Sequence, residues 1–307
     1  MMGTGGVGGY FGARLAAAGH EVAFIARGAQ RQAMREHGLR VRSPQGDLHL
    51  KDMVVTDQPG DVGPVDVVLF GVKLWDTEAA ARAIAPMVGP ETVVISLQNG
   101  VVKDELLREA CGAQAVAGGL CYIASTIAEP GLIVQTGTLQ RLVFGEYGGE
   151  NGSATSPRLE RLKQACESAG LEAVLHPQIE KAIWEKFVFL VGLSGATAVT
   201  RSAIGAVRTD EAARRLLGAL MQETVDVGRA QGIALDPAFA EERLRFCDGL
   251  PPDMKASMLV DLEAGRRLEL PWLSGDVVRR GQRLGIATPV NQTVHDALAL
   301  HAAGRNG

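Results

Sequence analysis

The chain is short of several things, and each shortage excludes something. Its 307 residues contain only four cysteines, Cys111, Cys121, Cys166 and Cys247, none in CxxC spacing. The six histidines, His20, His37, His49, His176, His295 and His301, have no ligand spacing, so no metal site is expected. The cysteines read as buried thiols in a reducing compartment. No basic segment leads into an apolar stretch at the N-terminus, and no apolar run approaches the ~20 residues that span a bilayer. Positive charge is not in excess either: the net charge of −4 gives no general drive toward nucleic acid or anionic membrane. These absences describe a soluble, cytoplasmic protein that acts on neither nucleic acid nor membrane.

What the chain has is apolar content, 46% of its residues, enough for packed cores, and a length that suggests two domains. The first half alternates. Ala13 to Ala18 reads as helix, Glu21 to Ala26 as strand, Val65 to Phe70 as a β-branched strand, Asp76 to Val88 as helix and Thr92 to Ser96 as a buried strand. That alternation predicts a doubly wound, Rossmann-like α/β domain with a parallel sheet and crossover helices. Leu39 to Val55 and Leu132 to Phe144 read as shorter strands added antiparallel at the sheet edge, and Leu171 to Leu175 as the last strand. After His176-Pro177 the period becomes helical. Ile179 to Leu193, Glu211 to Gln231, Ala238 to Phe246, Pro252 to Glu263, Trp272 to Leu284 and Asn291 to His301 predict an all-α second domain. The expected division is residues 1–176 for dinucleotide binding and 177–307 for a helical substrate or dimerisation domain.

Gly3-Thr4-Gly5-Gly6-Val7-Gly8 matches the GxGxxG turn. There the first glycine allows the turn, the second admits a pyrophosphate and the third lets helix and strand pack closely, with the helix N-terminus favouring the anion. The helix and strand that should follow are both present. The strand that should precede it is not, since only Met1 and Met2 stand there, and loss of a central strand should be costly. At the end of the next strand, where NAD sites usually carry an acid, this chain has Arg27, with Arg31 in reserve. A guanidinium fork suits a 2′-phosphate and favours NADP(H).

Lys73 and Asn99 each follow a predicted strand end, where a doubly wound sheet binds its ligand. By their bland readings Lys73 is a snorkelling lysine and Asn99-Gly100 a turn. Lys186, in Trp184-Glu185-Lys186, has Phe187, Val188, Phe189 and Leu190 beside it. Poor solvation would fit it to deliver a proton to a developing alkoxide, although most lysines are surface cations. Trp75, Trp184 and Trp272 read as packing residues.

Gly3 to Gly8, Arg27, Val72-Lys73, Asn99-Gly100, Trp184-Glu185-Lys186, the segment from Ser257-Met258-Leu259 to Glu269, Leu284 to Pro289, and Asn291 occur in an order and spacing that resemble the ketopantoate reductase family. The resemblance covers nearly the whole chain and implies NADPH-dependent reduction of 2-dehydropantoate to pantoate, in pantothenate biosynthesis. It implies that Lys186 is the proton donor and that Asn99 touches both nicotinamide and substrate. Ser257 would bind the substrate carboxylate, Glu269 would bond the cofactor, Lys73 would match the family's cofactor-side lysine, and Ala124 would give a backbone cofactor contact. Where the family has two further asparagines on the lysine's helix, this chain has Leu190 and Ser194. Leu190 cannot hydrogen-bond, and Ser194 offers only a short hydroxyl to a substrate. Reduction of another 2-oxo acid, or opine-type dehydrogenase chemistry, is therefore the alternative on the same scaffold, and a non-catalytic NADP(H) sensor is the alternative of another class. A homodimer through the helical domain is compatible with the sequence.

Overall fold

The structure is a computed structural model that describes residues 1–148 and 156–305. The chain divides into two units, one of Met1–Asn99 and Lys103–Ile179, the other of Gly100–Val102 and Glu180–Gly307. The first unit runs α1 (Gly6–Ala17), β1 (Ala23–Ile25), α2 (Gly28–His37), β2 (Leu39–Arg42), β3 (Leu48–Leu50), β4 (Val54–Thr56), β5 (Val65–Phe70), α3 (Thr77–Ala83), β6 (Val88–Ser96), α4 (Val102–Cys111), β7 (Val116–Glu129), β8 (Leu132–Gly145), α5 (Pro157–Ser168) and β9 (Glu172–Leu175). The Rossmann-like α/β expectation holds: β4 and β1 pair in parallel, and so do β5, β6 and β7.

Met1 and Met2 join these two parallel sets. Met2 bridges Ile25 on one side and Phe70 on the other, both in parallel. Its N–H donates to Leu69 O at 2.9 Å, and its carbonyl accepts from Gly71 N at 2.8 Å. Ile25 N donates to Met1 O at 2.9 Å. The two side chains take opposite faces, as in a strand. Met1 packs with Tyr10, Phe11 and Phe24, while Met2 packs with Val68, Phe70 and Val94. Two residues thus supply the backbone partners that a central strand would supply, and the sheet closes. The Met1 α-amino group donates to Ala23 O at 2.7 Å, and burial pulls its pKa down to about 5.

The edge expectation needs correction. β3 does pair antiparallel with β2, but β8 is long and internal, bonded to β7, β2 and β9. Its sequence looks like two short strands because Gly137 breaks the alternation. The β7–β8 register jumps there from Ile123↔Gln140 to Ala124↔Thr136. The buried Gln135 amide holds the resulting bulge by donating to Gly137 O at 2.9 Å and Leu139 O at 3.3 Å. Helices α2, α4 and α5 lie where no element was anticipated.

The second unit is α-helical among the described residues: α6 (Ile179–Thr200), α7 (Ile204–Thr209), α8 (Glu211–Ala230), α9 (Phe239–Cys247), α10 (Ser257–Glu263), α11 (Ser274–Leu284) and α12 (Pro289–Leu298). α6 runs past the expected Leu193. Gly192 and Gly195 do not stop it but let α8 approach. A Cβ on Gly192 would lie 2.5 Å from Met221 Cγ. Contrary to the sequence reading, α6 is long and apolar enough to cross a bilayer, but 72% of its most apolar stretch is buried, as in the core helix of a globular domain. α10 starts at Ser257 rather than Pro252. The stretch before it instead accepts from the free N–H groups of α7, Ile204 N to Met254 O at 3.0 Å and Gly205 N to Pro252 O at 2.9 Å. Glu223 of α8 serves α12 in the same way, taking Val290 N and Asn291 N at 2.8 Å each. Asn291 Nδ2 donates to the same carboxylate at 2.8 Å, which gives Asn291 a structural role.

Cys121, Cys166 and Cys247 are buried and Cys111 is half-buried. Burial pushes the Cys166 thiol up to about 12 and the Cys247 thiol up to about 11. Burial raises the Cys111 thiol as well, so access makes the difference: brief iodoacetamide treatment of the native chain at pH 8 should alkylate the half-buried Cys111 and leave Cys166 and Cys247 unmodified, as read by peptide mass mapping. Met2→Ala should lower the unfolding free energy by roughly 2–5 kcal/mol, the usual cost of truncating a buried methionine. A guanidinium titration followed by circular dichroism measures it, and an unchanged midpoint would contradict the strand-like role of this residue.

Candidate functional site

The glycine turn leaves the sheet at Met2, between β1 and β5. That is the topological switch point, where doubly wound sheets bind ligands. Gly3 has φ +91°, and a Cβ there would lie 2.8 Å from Val72 N, so both its conformation and its space require glycine. The third glycine is held as tightly: a Cβ on Gly8 would lie 2.1 Å from Gly3 O. Gly6 faces β7, where a Cβ would meet Ser125 O at 2.4 Å. Gly5 differs, since a Cβ there would meet no atom within 4 Å. This free space lies over the start of α1, a helix with no side-chain cap and no acid in its first turn. Ser125 Oγ, on the strand against Gly6, is buried without a hydrogen-bond partner. Open space, uncapped N–H groups and an orphaned hydroxyl together fit a dinucleotide diphosphate. Ala124 is exposed next to Ser125, paired with Thr136 where the β7–β8 register shifts.

Arg27 sits at the N-cap of α2 with its side chain mostly exposed. Its guanidinium meets Asp76 Oδ2 at 2.9 Å, and Arg31 pairs with Asp57. Gln30 ties the region to the glycine turn by donating to Thr4 O at 3.2 Å. Thr4 Oγ1 itself donates to Ile25 O at 3.1 Å. Lys73 is exposed after β5, its ammonium 5.6 Å from the centre of the Trp75 ring. Asn99 is half-buried after β6 and precedes Gly100 at φ +79°.

Gln98 joins these two strand ends, and sequence reasoning passed it over. It is buried, and its amide nitrogen donates to Val72 O at 2.9 Å and to Thr77 Oγ1 at 2.8 Å. Its amide oxygen accepts from Ser96 Oγ at 3.0 Å. One side chain thus holds the residues before Lys73 and Asn99 in register. Lys103 was missed as well. It is 1% exposed and donates to Asp104 Oδ2 at 2.8 Å and to Gly119 O at 2.9 Å. Tyr147 OH donates to the same carboxylate at 2.7 Å, which pins the start of α4 just after Asn99. The sole hint in the sequence is a Lys-Asp pair in a run that otherwise reads as a solvated helix start.

In the second unit, Lys186, Leu190 and Ser194 lie at successive turns of α6 and share one face. Lys186 and Leu190 are half-buried and Ser194 is 3% exposed. Trp184, two residues before Lys186, is buried against Phe187, with Arg280 over its ring. Arg280 is itself buried, donating to Asp276 Oδ2 at 2.7 Å and to Gln231 Oε1 at 2.9 Å. Ser257 is exposed as the first residue of α10, and Glu269 is half-buried at the entry to the turn Leu270–Trp272. The expected residues thus form two sets. Gly3 to Gly8, Arg27, Lys73, Asn99 and Ala124 belong to the first unit, and Lys186, Ser194, Ser257 and Glu269 to the second.

A family profile described as "Ketopantoate reductase PanE/ApbA" matches residues 1–149, and its C-terminal companion matches residues 178–302. The chain belongs to the ketopantoate reductase family. An uncharacterized oxidoreductase of Bacillus subtilis is 32% identical to it, over 99% of this chain and 98% of the relative. A 2-dehydropantoate 2-reductase of Archaeoglobus fulgidus is also 32% identical, over 96% of this chain and 94% of the relative. The crystal structure of a PanE/ApbA family ketopantoate reductase from Ralstonia eutropha JMP134 superposes with a TM-score of 0.88 at 32% identity, covering 98% and 97% of the two chains. This member of the family is an oxidoreductase, and the nicotinamide cofactor of such an enzyme fits the turn at Gly3 to Gly8.

Gln98→Leu keeps the volume but removes the bonds to Val72, Thr77 and Ser96. It should weaken nicotinamide cofactor binding at least tenfold, because a buried carbonyl loses its donor and the strand ends loosen. Fluorescence titration measures this, and an unchanged affinity would show that the bridge holds nothing the cofactor needs.

Proposed function

We propose that this chain is an NADPH-dependent reductase of 2-dehydropantoate, acting in the cytoplasm, with residues 1–176 binding the cofactor and 177–307 the substrate. The observation that carries it is Lys186 on a largely buried helix, in a chain whose glycine turn leaves room for a diphosphate. Bound NADPH would supply the hydride. The backbone of Gly3 to Gly8 would take the diphosphate, and Arg27 would leave Asp76 for the 2′-phosphate. Lys73 and Ala124 would line the cofactor side. Asn99 would orient the reacting carbonyl, and Glu269 would bond the cofactor. Ser257 would hold the substrate carboxylate. Lys186 would polarise the ketone oxygen and then protonate it as negative charge develops there.

Leu190 supports a second reading, reduction of a different 2-oxo acid. It puts a side chain without hydrogen-bonding capacity one turn from Lys186, where a substrate hydroxyl would otherwise be paired. The buried Ser194 one turn further on offers a single short hydroxyl.

Lys186→Ala should lower kcat by about 100- to 10,000-fold, the usual contribution of a positioned acid, with the Kd for NADPH nearly unchanged. Retained turnover would remove Lys186 from the chemistry. Arg27→Ala should raise the Kd for NADPH at least tenfold and leave that for NADH unaltered. Equal losses for both cofactors would argue against a 2′-phosphate contact.

A further inference from the structure

At the C-terminal end of α6, within the second unit, lies a cavity of about 190 Å³. Its polar lining among the described residues is Arg201, Arg266, His301 and Arg305, with no acidic side chain. Among the described residues Arg266 pairs with Asp261 at 2.7 Å, whereas neither Arg201 nor Arg305 pairs with a carboxylate. Arg201 instead donates a guanidinium N–H to His301 Nε2 at 3.4 Å.

The backbone is arranged to keep these cations there. Arg201 has φ +51° and is the one non-glycine residue among those described with a positive φ. A β-carbon in the left-handed region costs about 1 kcal/mol relative to glycine. A helix stop alone would be better served by glycine or asparagine, so the arginine side chain has its own use. Arg305 is seated by Gly265, where a Cβ would lie 2.8 Å from its Nε, and its own N–H donates to Gly265 O at 2.9 Å. A cation at a helix end also answers the partial charge of the last carbonyls. For α6 and α10 together that charge is about one unit. Asp261 takes up a further one, which among the described residues leaves a surplus of about one positive charge from the three arginines.

We infer that this cavity binds a small phosphate-bearing molecule. Three guanidinium groups suit the three terminal oxygens of a phosphate monoester better than the two coplanar oxygens of a carboxylate. The space exceeds what a bare phosphate needs, since one water occupies ~30 Å³. Leu262 and Leu300, the latter 95% exposed, offer apolar surface to the rest of the ligand. The site is distinct from the glycine turn and from the residues assigned to reduction.

The test is the thermal stability of the full chain against inorganic phosphate and then glycerol phosphate, with ionic strength held constant by chloride. A saturable rise on the order of 5 °C is expected at a hundredfold excess over Kd. Glycerol phosphate should act at lower concentration than inorganic phosphate. The rise should persist in Arg27→Ala, which removes the 2′-phosphate contact proposed at the other anion site. It should need at least tenfold more ligand in Arg201→Gly, which eases the backbone and so folds at least as well, and in Arg305→Ala. A response that vanishes in Arg27→Ala would assign the phosphate to the proposed 2′-phosphate contact and overturn the inference. So would an undiminished response in Arg201→Gly and Arg305→Ala, or no response beyond that of chloride.

Discussion

The first unit depends on the hydrogen bonds that Met1 and Met2 make between β1 and β5. Leu69 O, Gly71 N and Ile25 N would otherwise have no partner inside a sheet, and unpaired buried backbone groups are costly. The same two residues fix where the glycine turn begins and on which side α1 packs. Gly3 must then turn at positive φ against Val72, and Gly8 must close on Gly3 O. Each contact leaves room for nothing larger than hydrogen. The open face at Gly5 is what remains after these constraints, and it lies above the uncapped start of α1. Tight backbone packing therefore produces the anion site, with no basic side chain in the turn itself.

Within each unit, the residues proposed for chemistry are held by others that take no part in it. Gln98 bridges the ends of β5 and β6, and Lys103 with Asp104 and Tyr147 anchors α4. In the second unit, Arg280, paired to Asp276 and Gln231, lies over the Trp184 ring. A buried polar group left half-paired would be expensive, so each such network admits one arrangement. The site residues inherit that definition. Arg27 and Lys73 are exposed at the surface of the first unit.

Much of this was legible in the sequence. The glycine turn and the strands around Val65 and Thr92 are local patterns, readable within a few residues. So was the helical second unit, although α6 was cut short because Gly192 and Gly195 look like breakers and act as packing surfaces. Family resemblance is what proposes roles for Lys186, Asn99 and Glu269, whose residue types alone would pass for surface polar groups or a turn. Other features depend on partners far along the chain and leave no local trace. Gln98 reaches Val72 and Thr77, and the bulge that makes β8 one strand rests on Gln135. A two-residue strand substitute is too short to show any period, so Met1 and Met2 read as a gap.

The assignment as a 2-dehydropantoate reductase meets its sharpest test at Leu190, because the substrate hydroxyl loses a partner there. The most direct measurement is the rate of NADPH oxidation at saturating 2-dehydropantoate, compared with NADH and with a panel of other 2-oxo acids. Rapid oxidation that prefers NADPH and 2-dehydropantoate is the predicted result. Rapid oxidation by another 2-oxo acid, with 2-dehydropantoate inert, would contradict the substrate assignment, and no oxidation with any of them would contradict the reductase itself.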